Sequence, residues 1–134
     1  HMIRSVMEGC AYALYHNMKT AEESGVKSNI LNAMGGAANS KLWTQIKADV
    51  TATPIQVPAS DTATTMGAAI LAGIGTGAYK SFEEAVKRTI KITRLHEPDM
   101  NAHYKYMSYY EIYLELYEKL KDSMRKISEI QRTK

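Results

Sequence analysis

The spacing of apolar positions changes several times along the chain, and each change marks an element. Ile3, Val6, Met7, Cys10, Leu14, Met18 and Ala21 recur mostly at steps of three and four. That pattern predicts an amphipathic helix stopped by Gly25. Val26 to Met34, with Val26, Ile30, Leu31, Ala33 and Met34, reads as a short buried strand. After Gly35-Gly36-Ala37-Ala38-Asn39-Ser40, the positions Leu42, Trp43, Ile46 and Val50 predict a second helix, with Ser40 or Asn39 as its N-cap. Thr53-Pro54 breaks it, and Ile55-Gln56-Val57 is a second short strand ended by Pro58. Ser60-Asp61-Thr62 reads as the cap of a third helix carrying Met66, Ala69, Ile70 and Ala72, closed by Gly73, Gly75 and Gly77. Ser81 caps a fourth helix with Phe82, Ala85, Val86 and Ile90, which gives way near Ile92-Thr93, and His96-Glu97-Pro98-Asp99 is a loop.

A last helix is expected from about Ala102 to Ile130. Tyr106, Tyr110, Tyr113, Tyr117, Leu120, Met124 and Ile127 alternate steps of four and three, a heptad seam, and six of the nine tyrosines fall between Tyr104 and Tyr117. The favoured reading of this seam is a helix folded back onto its own protein; a partner-binding helix is the other.

The order is helix, strand, helix, strand, helix, helix, helix, an α/β arrangement. A strand–helix–strand unit implies a parallel pair joined by a right-handed crossover. Parallel strands normally sit inside larger sheets covered on both faces, so this pattern points to part of a larger domain. His1-Met2 is the expected remnant of a purification tag, leaving 3–134 as the piece that folds. The open edge of the Val26–Met34 strand, or the C-terminal helix, is expected to support a homo-oligomer.

Composition narrows the function classes. The chain has 134 residues, 45% apolar and 23% charged, which excludes a disordered tail or a disulfide miniprotein. No apolar run approaches the ~18–20 residues needed to cross a bilayer, so no membrane partner is expected. Cys10 is the single cysteine, which suits a reducing cytoplasm. The net charge is +3, with the excess after Tyr79 interleaved with Glu and Asp rather than clustered. Nucleic acid is therefore not an expected partner.

The chemistry sits at the glycine pair. A strand ends, two glycines follow, and a helix N-terminus begins, where free N–H groups and the helix dipole favour an anion such as phosphate. Adjacent glycines allow a ribose or phosphate against the main chain. Asn39 and Ser40 are candidates to bond a base or sugar, or simply to cap the helix. The dinucleotide and phosphate-loop signatures are both absent, so a nicotinamide-binding domain is a distant alternative. Asp49, Asp61, His16, His96, His103 and Cys10 form no catalytic or metal-ligand spacing. No catalytic residue and no metal ligand is assigned, and Cys10 is expected in the core.

The run Gly35-Gly36-Ala37-Ala38-Asn39-Ser40-Lys41-Leu42-Trp43-Thr44-Gln45-Ile46-Lys47-Ala48-Asp49-Val50 resembles the C-terminal domain of FGGY-type carbohydrate kinases. Glu8-Gly9, Thr53-Pro54-Ile55-Gln56-Val57, Met66-Gly67-Ala68-Ala69-Ile70-Leu71-Ala72-Gly73 and the tyrosine-rich last helix extend the likeness, which is strongest to the xylulokinase branch. The resemblance implies a partial actin-like, ribonuclease H-like domain from a two-domain enzyme with ATP in the cleft. It implies that Gly35, Gly36 and Ala37 hold the adenosine, with Asn39 and Ser40 near the adenine. ATP and Mg2+ would serve the larger enzyme in phosphorylating a sugar or polyol hydroxyl. The sugar site and catalytic aspartate would lie outside this segment, so the piece alone is expected to be inactive.

Overall fold

A computed structural model describes residues 1–59 and 63–132. Five helices and three strands follow one another as α1 (Met2–Glu23), β1 (Leu31–Asn32), a 3-10 turn (Gly36–Asn39), α2 (Lys41–Thr51), β2 (Ile55–Pro58), α3 (Ala63–Gly75), α4 (Phe82–Thr89), β3 (Ile92–His96) and α5 (Met100–Arg132). The sheet order is β1-β2-β3. β1 runs parallel to β2, with Leu31 opposite Ile55, as the strand–helix–strand pattern requires. β3 runs antiparallel to β2, with Val57 opposite Arg94 and Ile55 opposite His96.

Three expectations need correction. The first strand is Leu31–Asn32 rather than Val26–Met34, because Val26, Ile30 and Met34 are exposed and only the central residues meet β2. Ile92–His96, expected as a fading helix followed by a loop, is a strand. Cys10 is exposed rather than in the core. Ile3 and Val6 are exposed with it, so the apolar residues of α1 occupy two faces, of which this chain covers one. The expected Ser60-Asp61-Thr62 cap lies outside the described residues.

The core forms where α1, α2 and α5 meet: Ala11 and Tyr12 from α1, Ile46 and Val50 from α2, Tyr106 and Tyr110 from α5. Tyrosine rings fill it edge-on and tilted, with Tyr15 and Tyr110 centroids 5.0 Å apart and Tyr12 and Tyr113 5.6 Å apart. Such pairs add to area burial through their quadrupoles. Burial, with smaller contributions from Glu8 and neighbouring tyrosines, pushes the Tyr12 hydroxyl up to about 12. At the rim, Arg4 Nη2 donates to the Tyr106 hydroxyl at 3.0 Å, and that hydroxyl donates to Glu8 at 3.3 Å.

The seam of α5 is therefore half used. Its first turns fold back, with Tyr106 and Tyr110 buried, while Tyr117, Leu120, Met124 and Ile127 are exposed. The helix is 33 residues long, about 50 Å at ~1.5 Å per residue. No helix among the described residues is long and apolar enough to cross a membrane.

Candidate nucleotide turn

The five sequence-predicted residues form one continuous turn between β1 and α2. Main-chain bonds from Leu31 N to Pro54 O and from Ala33 N to Gln56 O, both 2.9 Å, tie its incoming end to β2. Gly35 then takes φ 80° and ψ 178°. An L side chain strongly disfavours that combination, so this position needs glycine for backbone reasons alone. The Ala38 amide donates to Gly35 O at 2.9 Å and the Ser40 amide to Ala37 O at 3.3 Å. Gly36 and Ala37, the first two residues after the turn's initial acceptor, keep their amides outside this ladder, as the first N–H groups of any helical turn do. Both residues are exposed.

Gly36 differs from Gly35. Its φ is not positive, and a Cβ built on it would meet nothing within 4 Å. Neither strain nor crowding within this chain accounts for a glycine there. A position without a Cβ leaves room for a ligand to lie against the main chain.

Ser40 is the N-cap of α2: its Oγ accepts from the Trp43 amide at 3.2 Å. Its O–H remains a donor beside the turn. Asn39 is exposed at the turn's last position, and Lys41 is exposed at the first position of α2. Thr44 Oγ1 donates to Ser40 O at 3.0 Å, reinforcing the helix start. Trp43 lies one turn in, with Lys47 Nζ 4.4 Å from its ring centroid. The α2 dipole adds partial positive charge at this end, so turn and helix together suit an anionic ligand.

Sequence reasoning missed Arg94. From β3, its Nη2 donates to the carbonyl oxygen of Ala38, a buried residue of the turn. The available signal was the β-branched pair Ile92-Thr93 leading into Leu95, read instead as the decay of α4.

A second polar cluster fastens the far end of α2. Gln45 Nε2 donates to Asp49 Oδ1 and to Glu97 O, both at 2.8 Å. Gln45 Oε1 is therefore the acceptor facing His96 Nδ1 at 3.0 Å, and Nδ1 carries the proton. Burial, then Arg94, lowers the His96 pKa, against an opposing pull from Asp49. Asp49 also accepts the Asp99 amide at 2.9 Å, and His103 Nδ1 meets Asp49 O at 3.0 Å. Asp49 and His103 are thus occupied in joining α2 to the start of α5. His16 is likewise paired, with the Tyr110 hydroxyl at 3.0 Å.

Among the described residues no group of three His, Cys, Asp or Glu side chains could hold a metal ion. These residues do not fit a Mg2+ site by themselves. Clefts of ≈ 630 and ≈ 730 Å³ flank the α1–α5 contact, lined by residues such as His16 and Tyr117 or Arg4 and Lys105 rather than by the turn.

Residues 1–76 match the model of the FGGY family of carbohydrate kinases, C-terminal domain. A xylulose kinase of Staphylococcus epidermidis is 36% identical over 118 residues, covering 88% of this chain and 24% of that protein. An autoinducer-2 kinase of Yersinia enterocolitica is 37% identical over 100 residues, 74% of this chain and 19% of that protein. The crystal structure of a xylulose kinase from Rhodospirillum rubrum superposes with a TM-score of 0.81 at 26% identity, covering 93% of this chain and 25% of that one. The chain spans about a fifth to a quarter of the length of these relatives.

Proposed function

Because the chain belongs to the FGGY family of carbohydrate kinases, we propose that its 35–40 turn forms one wall of the ATP site of a larger sugar kinase. The observation that carries this is the placement of the turn, with an exposed, Cβ-free Gly36 between the end of β1 and the N-terminus of α2. The substrate we assign is a sugar or polyol hydroxyl, with a xylulose-like ketose first, after the xylulose kinases it resembles. Phosphoryl transfer is mostly positioning and charge stabilisation, with a base for the attacking hydroxyl and Mg2+ on the phosphates. The described residues supply positioning only: two outward amides, a helix N-terminus and a nearby guanidinium. The base, the metal ligands and the sugar site belong to the rest of the kinase, so the chain by itself binds without catalysing. We place the enzyme in the cytoplasm, with its soluble substrates.

Trp43 is the only tryptophan and sits three residues past Ser40, so its emission reports on the turn directly. ATP is expected to change Trp43 fluorescence and to shift the Gly36 and Ala37 amide resonances, whereas NAD is not. Preference for NAD would favour a dinucleotide domain instead. Steady sugar phosphorylation by the chain alone would refute the division of labour.

A second reading concerns assembly and rests on the exposed seam from Tyr117 to Ile127. Several charges of this stretch pair along the helix itself, as Lys119 with Glu115 and Lys121 with Glu118. A homo-oligomer through this face or through the free edge of β1 follows. Sedimentation across micromolar concentrations is expected to show self-association, and a monomer throughout would remove this reading.

A further inference from the structure

We propose that Arg94 is a positioning residue for the nucleotide turn, fixing it from behind while supplying an unneutralised cation next to the phosphate-facing amides. The inference rests on the nucleotide reading of residues 35–40.

Arg94 belongs to β3, held in register against β2 with Val57 opposite it. Its guanidinium leaves the sheet and reaches a carbonyl 56 positions away in sequence, that of Ala38. The same oxygen lies 3.5 Å from Thr44 Oγ1 of α2. Thr44 gives its one hydroxyl proton to the nearer Ser40 O at 3.0 Å, so Arg94 is the side chain that holds this peptide of the four-residue turn. Fixing the Ala38 carbonyl fixes the plane of its peptide and restrains those before it, including the Gly36 and Ala37 amides. An open turn without such a brace would have to be ordered by its ligand, at a cost in affinity.

A neutral donor could have done the bracing alone. Arg94 brings a full charge that does not titrate in a protein. Among the described residues no carboxylate forms an ion pair with it, while the Arg and Lys side chains that do pair, such as Arg88 with Glu84, lie on exposed helix faces. Arg94 Nη1 is buried and has no hydrogen-bond partner among the described residues. Arg94 as a whole is half-buried, and a donor atom that is itself buried without a partner is costly unless something answers it. The field is felt locally, since Arg94 is one of the groups that lower the His96 pKa. An anion seated on the turn would answer it, and a triphosphate would do so better than an uncharged nucleoside.

The test compares ATP with adenosine on Arg94→Met and Arg94→Lys forms of this chain, read by Trp43 fluorescence at low salt. Arg94→Met is expected to weaken ATP binding about tenfold, through loss of the brace on Ala38 and of the nearby charge together. Adenosine affinity is expected to stay within about threefold. Arg94→Lys is expected to recover part of the ATP loss, because it keeps the charge and loses the planar fork. If Arg94→Met fails to fold, Arg94→Gln carries the same comparison, keeping a donor for Ala38 O without charge. Equal losses for ATP and adenosine would reduce Arg94 to scaffold, and an unchanged ATP affinity would remove its role altogether. Wild-type chain that binds neither compound overturns the nucleotide reading itself, an outcome distinct from wild-type binding with indifferent variants.

Discussion

Gly35 and Gly36 are neighbours of identical chemistry, yet the structure gives them opposite expectations. At Gly35 the backbone stands at φ 80°, ψ 178°. Alanine there must hold a conformation that costs a non-glycine residue about 1–3 kcal/mol, or rebuild the turn. For a chain of this size that corresponds to a fall in Tm of about 4–12 °C. At Gly36 the φ is ordinary and an added Cβ meets no atom within 4 Å. Gly36→Ala is therefore expected within about 0.5 kcal/mol of wild type, the usual range for an unhindered surface change. The order reverses for ligand binding: Gly36→Ala, and more so Gly36→Val, puts carbon where the nucleotide is proposed to lie. Thermal unfolding followed by circular dichroism, and ATP titration followed by Trp43 fluorescence, measure the two quantities on the same samples. Equal destabilisation by Gly35→Ala and Gly36→Ala would refute the turn geometry. Stable Gly36→Val protein that binds ATP as wild type does would refute the cradle.

Two further outcomes are expected. α2 ends on Ala52 in the left-handed region at φ 50°, a position that favours glycine, so Ala52→Gly should raise stability by about 0.5–1 kcal/mol, seen as a higher urea midpoint at unchanged slope. The His96 imidazole has its pKa lowered by burial and by Arg94. Its unfolded form binds protons more readily, so the stability it contributes is present above pH ~6.5 and is lost as pH falls below that value. Tm between pH 7 and 5 should therefore drop more steeply for wild type than for His96→Gln, and parallel slopes would contradict the assignment. The carboxyls of Glu83 and Glu115, held below their ordinary range, add their own loss only at lower pH.

The elements legible in the sequence were those whose signal is local. Ser40 and Ser81 cap α2 and α4 through their own side chains, accepting from Trp43 and Glu84, and the caps could be read from residue type and position. The glycine turn was legible for the same reason. β3 was not, because its order comes from pairing with β2 rather than from its own pattern, and Ile92 and Leu95 stay exposed. β1 was overread: Val26, Ile30 and Met34 look like core, but their apolar character is not answered by this chain. Cys10 fails alike, since periodicity reports how much of a helix is apolar, not which side its own chain covers. Arg94 could not be found without β3, as its partner in the turn is distant along the chain.

The packing of α1 against α5 has a consequence for synthesis. Ala11 and Tyr12 leave the ribosome more than ninety residues before Tyr106 and Tyr110, which cover them. The tyrosine core cannot close on a nascent chain until almost the whole segment has emerged. A transcript cut short before α5 would yield a polypeptide with a bare aromatic face, a natural substrate for chaperones and proteases.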